Sequence, residues 1–339
     1  MKKMKHQFVL AALIFSAFGI LSSCGDESIM PSSSTAASPE LKVVSPANPN
    51  VFPVFLMMED NPELNIALTA VDGGSDVPPY FESGEADITT IYSYIMAKHV
   101  ISGSIPDLQL RAVTLWDNFY LVTNESVVSL DQLMGKTILI TGPKGSGKNG
   151  PADKILQAAI LRNGFNISDF TIEYDLIQPA MDRVESGEAD ALLLAEPAAT
   201  GFVAKSTFSG AKLSKSISLQ RLLNGYSSWS ANQLPLGGVA ALPQYDTEEK
   251  AAAVEDFIMA YKVASSKIME DKMSSARIIS KGLKTHFGTD LPWPIVLRSL
   301  NEGTLAFNAG ISISDIQPEL NAFITELVGE VPTDDFYKD

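Results

Sequence analysis

The hexapeptide Glu-Ser-Gly-Glu-Ala-Asp occurs twice in the chain, at Glu82 to Asp87 and again at Glu185 to Asp190. Each copy closes a helix-like stretch and opens an apolar run, Ala86 to Tyr92 after the first and Ala189 to Leu194 after the second. Both read as helix, glycine stop, strand. A helix commonly ends on a left-handed residue, which glycine adopts without a Cβ clash, and a parallel strand buried on both faces begins as a continuous apolar run. A repeat of this length in one context argues for a single α/β unit used twice, in two lobes.

The first two dozen residues read as an export signal. Lys2, Lys3 and Lys5 form a positive start, and Phe8 to Leu21 is an apolar stretch too short to span a bilayer comfortably. Leu21-Ser22-Ser23-Cys24 closes it and resembles the bacterial lipobox; Cys24 is the only cysteine. That resemblance implies cleavage after residue 23 and acylation of Cys24, palmitate among the chains. The plainer reading is an ordinary signal peptide that ends near a cysteine. Each buried methylene contributes about 0.8 kcal/mol, so two or three acyl chains hold a protein on a membrane without a spanning helix. Residues 24–40 are rich in Ser, Ala and Pro, the composition of a flexible tether. The expected address is the bacterial cell envelope, on the periplasmic or extracellular face.

The body that follows, about 300 residues, is large for one core and fits two domains. Loss of residues 1–23 removes three lysines and no acid, taking the formal charge from −15 to −18, which makes a poor nucleic-acid binder. Strands are read at Leu41 to Ser45, Leu64 to Ala70 and Ala86 to Tyr92, with helices at Val51 to Glu59, Asp76 to Phe81 and Tyr94 to Val100. Leu108 to Val122 is a long extended run broken at Trp116-Asp117-Asn118, as if one strand crossed between lobes. The theme repeats with strands at Lys136 to Thr141, Phe170 to Tyr174 and Ala189 to Leu194, and helices at Ala152 to Asn163 and Pro179 to Glu185. Leu236 to Leu242 reads as the return strand, and Thr247 onward is mostly amphipathic helix. The expected division is 41–118 plus 235–339 for one lobe and 119–234 for the other.

Ser83-Gly84-Glu85-Ala86-Asp87, Gly135-Lys136-Thr137 with the glycine-rich turn Gly142 to Gly147, Ser186 to Asp190 with Glu196-Pro197, and the late strand before helix Val254 to Ala264 occur in a telling order. In these features the segment Leu41 to Lys281 resembles the solute-binding proteins of ABC importers, in the group that includes nitrate, sulfonate, taurine and thiamine-precursor binders. The resemblance implies the two-lobed type II periplasmic binding protein fold: α/β, each lobe a mainly parallel sheet flanked by helices, with two crossover strands. It also implies a small polar or anionic solute in the cleft, heterocycles included, closure on binding, no cofactor, a monomer, and partnership with a permease and a separate ATPase.

Gly142-Pro143-Lys144-Gly145-Ser146-Gly147-Lys148-Asn149 competes with that reading, because it fits a phosphate-binding loop except at its end. Asn149 stands where a magnesium-binding Ser or Thr is required, so the match fails at the metal. Backbone N–H groups and a helix dipole before Pro151 still suit an anionic or polar ligand group; the plainer alternative is an exposed loop that starts a helix.

Ligands of parallel α/β sheets bind at the carboxyl ends of the strands. The strand ends nominate Asn48, Ser75, Thr90 and Tyr92 in the first lobe, Trp116 and Asp117 in the crossover, and Gly142, Ser146, Gly147 and Glu196 in the second. Tyr92, Trp116, Tyr226 and Trp229 are as well suited to core as to cleft. Glu196, an acid at the end of a buried strand, needs either a ligand donor or an internal Lys or Arg. No catalytic residues or metal ligands are nominated. The three histidines include His6 in the signal, and neither His99 nor His286 has a Glu or histidine at metal-ligand offsets. No Gly-Xaa-Ser-Xaa-Gly elbow precedes a suitable acid and histidine. A secreted enzyme and a sensory lipoprotein on the same fold are the alternative readings.

Overall fold

The structure is a computed structural model that describes residues 38–124, 127–142, 147–223 and 233–339. Cys24, the signal, most of the tether, Ser146, Tyr226 and Trp229 lie outside the described residues. Ser38 to Asp339 forms a unit of its own.

The chain builds β1 (Leu41–Pro46), α1 (Phe52–Asp60), β2 (Ile66–Val71), α2 (Pro78–Glu82), β3 (Ile88–Thr89), α3 (Ser93–Ile101) and β4 (Gln109–Asp117) before it leaves the first sheet. A second series follows: β5 (Phe119–Thr123), β6 (Thr137–Thr141), α4 (Pro151–Arg162), β7 (Thr171–Asp175), α5 (Ile177–Ser186), β8 (Ala191–Ala195), α6 (Ala198–Ser209), β9 (Ser214–Ser218) and α7 (Leu219–Leu222). It then returns through β10 (Gly237–Ala241) to α8 (Glu248–Glu270), α9 (Lys272–Phe287), α10 (Trp293–Glu302), β11 (Ala306–Phe307) and α11 (Ile313–Val328). Among the described residues one sheet has the order β11-β4-β10-β3-β1-β2 and the other β7-β6-β8-β5-β9. The α/β class with two sheets flanked by helices is the one expected from sequence.

Strand direction follows from how the chain crosses between the sheets. β2, β1 and β3 are parallel, as are β7, β6 and β8. β10 pairs antiparallel with both β3 and β4, and β5 pairs antiparallel with both β8 and β9. A strand that enters a lobe from the other one starts where its neighbours end, so it must run against them. Each mainly parallel set therefore carries a reversed strand inside it, and the carboxyl ends of β1–β3 and β6–β8 share the side on which the chain crosses.

The repeated hexapeptide does one job in both lobes. Gly84 and Gly187 adopt left-handed conformations, φ 72° and 78°, and end α2 and α5. The two aspartates then clamp β1 in one lobe and β6 in the other. The N–H of Lys42 donates to Asp87 Oδ2 at 2.9 Å, and the N–H of Thr137 donates to Asp190 Oδ2 at 2.9 Å. In return the N–H of Asp87 donates to the Lys42 carbonyl and that of Asp190 to the Thr137 carbonyl. Lys250 pairs with Asp87 and Lys136 with Asp190.

Packing explains where the remaining helices go. α1 is buried from Phe52 through Met57 because α8 and α9 cover it, and a Cβ on Gly282 of α9 would stand 2.4 Å from the Phe55 ring. α11 buries Ile316, Leu320, Phe323, Ile324 and Leu327 against α3 of one lobe and α4 of the other. Arg162 of α4 and Glu326 of α11 add an ion pair at 3.1 Å. α10 likewise joins α9 to α6. The C-terminal segment thus packs across both lobes.

Beside α6, α7 and β11, which the sequence reading does not name, two strands depart from it. The third strand shrinks from Ala86–Tyr92 to β3, because β1 pairs only with Ile88 and Thr89 and Tyr92 makes a single bridge to Gly237. β9, Ser214-Lys215-Ser216-Ile217-Ser218, escapes a hydrophobic pattern because it is a polar edge strand that pairs with β5 alone.

Candidate functional site

A cavity of about 750 Å³ lies where the strand ends of both sheets meet. The first lobe contributes Pro46, Ala47 and Asn48 after β1, Asp72 to Gly74 after β2, and Ile91 and Tyr92 after β3, with Phe52 and Ile95 from the helices. The second contributes Phe119 at the start of β5, Thr141 and Gly142 after β6, Leu176 to Pro179 around the start of α5, and Leu193 to Ala198 at the end of β8. Leu283, Thr289 and Leu291 complete the wall from the C-terminal segment. The size falls within the range of about 300–1,000 Å³ usual for small-molecule sites.

Of the nominated residues, Asn48, Tyr92, Gly142 and Glu196 line this cavity. Their polar atoms are largely committed elsewhere. Asn48 Oδ1 accepts from the backbone and side-chain nitrogens of Asn50, both at 2.8 Å. The Tyr92 hydroxyl accepts from Asn118 Nδ2 at 2.7 Å, and its ring lies 5.5 Å from that of Phe119. Asn118, buried in the crossover, accepts the Glu196 N–H at both its carbonyl and its Oδ1, so one side chain ties a first-lobe tyrosine to the end of β8.

Glu196 presents no carboxylate to the cavity, since its side chain is 0 % exposed. Oε1 accepts from Lys215 Nζ at 2.7 Å and Thr200 Oγ1 at 3.0 Å, and Oε2 from the Thr200 N–H at 3.1 Å. Of the two roles open to this acid, the internal ion pair is the one it has. Lys215 also donates to Glu302 Oε2 at 2.7 Å and Thr304 Oγ1 at 2.9 Å, which links β9 of the second lobe to the end of α10. Against the opposing pull of burial, its ion pairs with Lys215 and Arg298 hold the Glu302 carboxyl below its usual range.

The other nominees sit elsewhere. Trp116 is 0 % exposed and its Nε1 donates to the Asn308 carbonyl at 2.9 Å, so it is a core side chain of β4. The Thr90 hydroxyl donates to Ser45 Oγ, also in the core. Ser75 is exposed on the turn after β2, where its neighbour Gly74 faces the cavity instead. Asp117 Oδ1 accepts from the Tyr120 hydroxyl at 2.8 Å; burial above all, with the nearby Glu196 charge adding, raises its pKa to about 7. Gly147 lies outside the lining, close to the Gly142 carbonyl.

The described end of the glycine-rich motif points away from nucleotide chemistry. Lys148 Nζ sits 5.9 Å over the Tyr174 ring, and the Asn149 N–H donates to buried Asp153 at 2.6 Å. His99 is structural: its Nε2 donates to the Gly74 carbonyl at 2.8 Å, and burial lowers its pKa. Among the described residues no group of three His, Cys, Asp or Glu is arranged to hold a metal ion, and no helix is long and apolar enough to cross a membrane.

Asp72, Phe119, Leu176, Ile177, Gln178, Leu283 and Leu291 line the cavity without having been nominated. One signal was available: Leu176-Ile177 falls in the junction after a strand, between Tyr174 and Pro179, at the carboxyl end that binds ligands.

No protein-family model and no curated protein matches this sequence. Solved structures do match. An ABC transporter protein from Parabacteroides distasonis is 15 % identical with a TM-score of 0.62, covering 88 % of this chain and 98 % of its own. The alkanesulfonate-binding protein of Xanthomonas axonopodis pv. citri, bound to MOPS, is 16 % identical with a TM-score of 0.59, covering 88 % and 97 %. A zinc-bound ligand-binding component of an ABC-type import system from Staphylococcus aureus is 12 % identical with a TM-score of 0.63, covering 88 % and 96 %. At these identities the likeness is one of fold, and the chain has the two-lobed fold of the ligand-binding proteins of ABC importers.

Proposed function

We propose that this protein is the solute-binding component of an ABC importer, lipid-anchored through Cys24, which captures a small molecule between its lobes and hands it to a permease driven by a separate ATPase. The observation that carries this reading is the cavity of about 750 Å³ at the converging strand ends of two sheets joined at Asn118 and at the approach to β10. The shared fold supports it. A ligand that touches both walls favours the arrangement in which both are close, so binding shifts the population of lobes toward closure. The cell-envelope address and the membrane partner follow from the lipobox-like Leu21-Ser22-Ser23-Cys24.

Native mass spectrometry of the full-length protein, extracted without denaturation, tests the reading. A discrete small-molecule mass that leaves on acid unfolding is the expected result; a ligand-free protein whose stability responds to no small molecule contradicts it. Metabolic labelling with palmitate is expected to mark the wild type and not Cys24→Ser, and equal labelling of both contradicts the anchor.

A further inference from the structure

We infer that the solute is an uncharged, mostly apolar small molecule rather than an anion. This deepens the solute-binding reading and rests on it. Among the described residues that line the cavity there is no Lys, Arg or His, and the acid exposed there is Asp72. An anion buried without a counter-charge is strongly disfavoured, and a chain of formal charge −15 repels one on approach.

Helix N-termini are the other source of anion affinity in such folds; three of the second lobe reach the lining, those of α4, α5 and α6, and each has a carboxylate of the chain beside it, Glu196 Oε2 accepting the Thr200 N–H at α6. At α4, Asp153 in the first turn is fully buried and accepts the Asn149 N–H, along with Gln157 Nε2 at 2.7 Å and the Tyr174 hydroxyl at 3.0 Å. At α5, Asp175 Oδ1 accepts the Leu176 N–H at 2.8 Å. The anionic group beside the described end of the glycine-rich motif is the Asp153 carboxylate.

The walls point to the class that does fit. Leu176 is 63 % exposed and Ile177 48 % exposed, although both line the cavity. Phe52, Ile95 and Leu291 line the same cavity. Exposed apolar side chains in a concave site gain by covering an apolar ligand, at about 25 cal/mol per Å² removed from water. Gln178 and Thr289, both exposed on the wall, are left to orient a polar substituent.

Naphthalene-2-methanol and naphthalene-2-sulfonate share one ring system and differ in charge, so isothermal titration of both into the full-length chain in nanodiscs, with empty nanodiscs subtracted, isolates the effect of the anion. The alcohol is expected to bind at least tenfold more tightly, and the double variant Leu176→Asp, Ile177→Asp to lose at least tenfold of that affinity while melting at the wild-type temperature. Tighter binding of the sulfonate overturns the inference and leaves the solute-binding reading standing. Alcohol binding that survives the double substitution overturns the placement of the site. Binding of neither probe overturns the inference, and a ligand-free native mass spectrum would then remove the solute-binding reading as well.

Discussion

At Glu196 the structure chooses between two roles that the sequence left open. An acid at the end of a buried strand needs a partner, and Lys215 supplies it from β9, with Thr200 adding two hydrogen bonds. Glu196→Ala is therefore expected to lower stability, by about 3 kcal/mol as for one partner removed from a buried pair, and to leave affinity for the solute within a few-fold; urea unfolding and titration measure the two separately. A large loss of affinity at unchanged stability would show that the carboxylate meets the ligand. Asp117 makes a second test. Its folded pKa of about 7 lies above the ordinary aspartate value, so between about pH 4 and 7 the folded state binds more protons than the unfolded one. Its contribution to stability is present below that window and declines as pH rises through it. The stability of the wild type relative to Asp117→Asn is expected to fall from pH 4 to pH 7, and a difference independent of pH contradicts the assignment.

Most elements were legible because periodicity reports burial on an ordered framework. The repeated glycine and aspartate went further, because their chemistry is local: a left-handed stop and a carboxylate that clamps the neighbouring strand. β9 was not legible, since a polar edge strand with one partner lacks the apolar pattern that marks a strand. The site was legible only as a set of strand ends. Which side chain faces the cavity depends on neighbours distant in sequence, as Trp116 shows by turning to the Asn308 carbonyl 192 residues away. The return strand β10 has a similar long-range demand. A Cβ on Gly238 would stand 1.9 Å from the Ala112 carbonyl, at a register shift between β10 and β4. Gly238→Ala must push two central strands apart, and a loss of about 3 kcal/mol or more is expected in urea unfolding. A variant within 0.5 kcal/mol of the wild type, the usual range for a harmless surface change, would mean that the two strands are farther apart than described.

On the scale of the whole molecule, two sheets share one function only if the connections between them allow a ligand to bring the walls together. The chain crosses at Asn118 and again on the approach to β10, while α10 and α11 pack from the first-lobe side onto α6 and α4. Ion pairs Lys215–Glu302 and Arg162–Glu326 accompany those contacts. The most direct test of the central claim is a thermal-shift scan of the full-length chain against a small-molecule library spanning neutral aromatics, sulfonates, amino acids and nucleobases. A true solute at about a hundred times its Kd adds about 2.7 kcal/mol of stability. A cluster of chemically related compounds that raises the Tm, neutral aromatics foremost, is the expected result, and an unchanged Tm across the whole library would contradict a solute-binding protein.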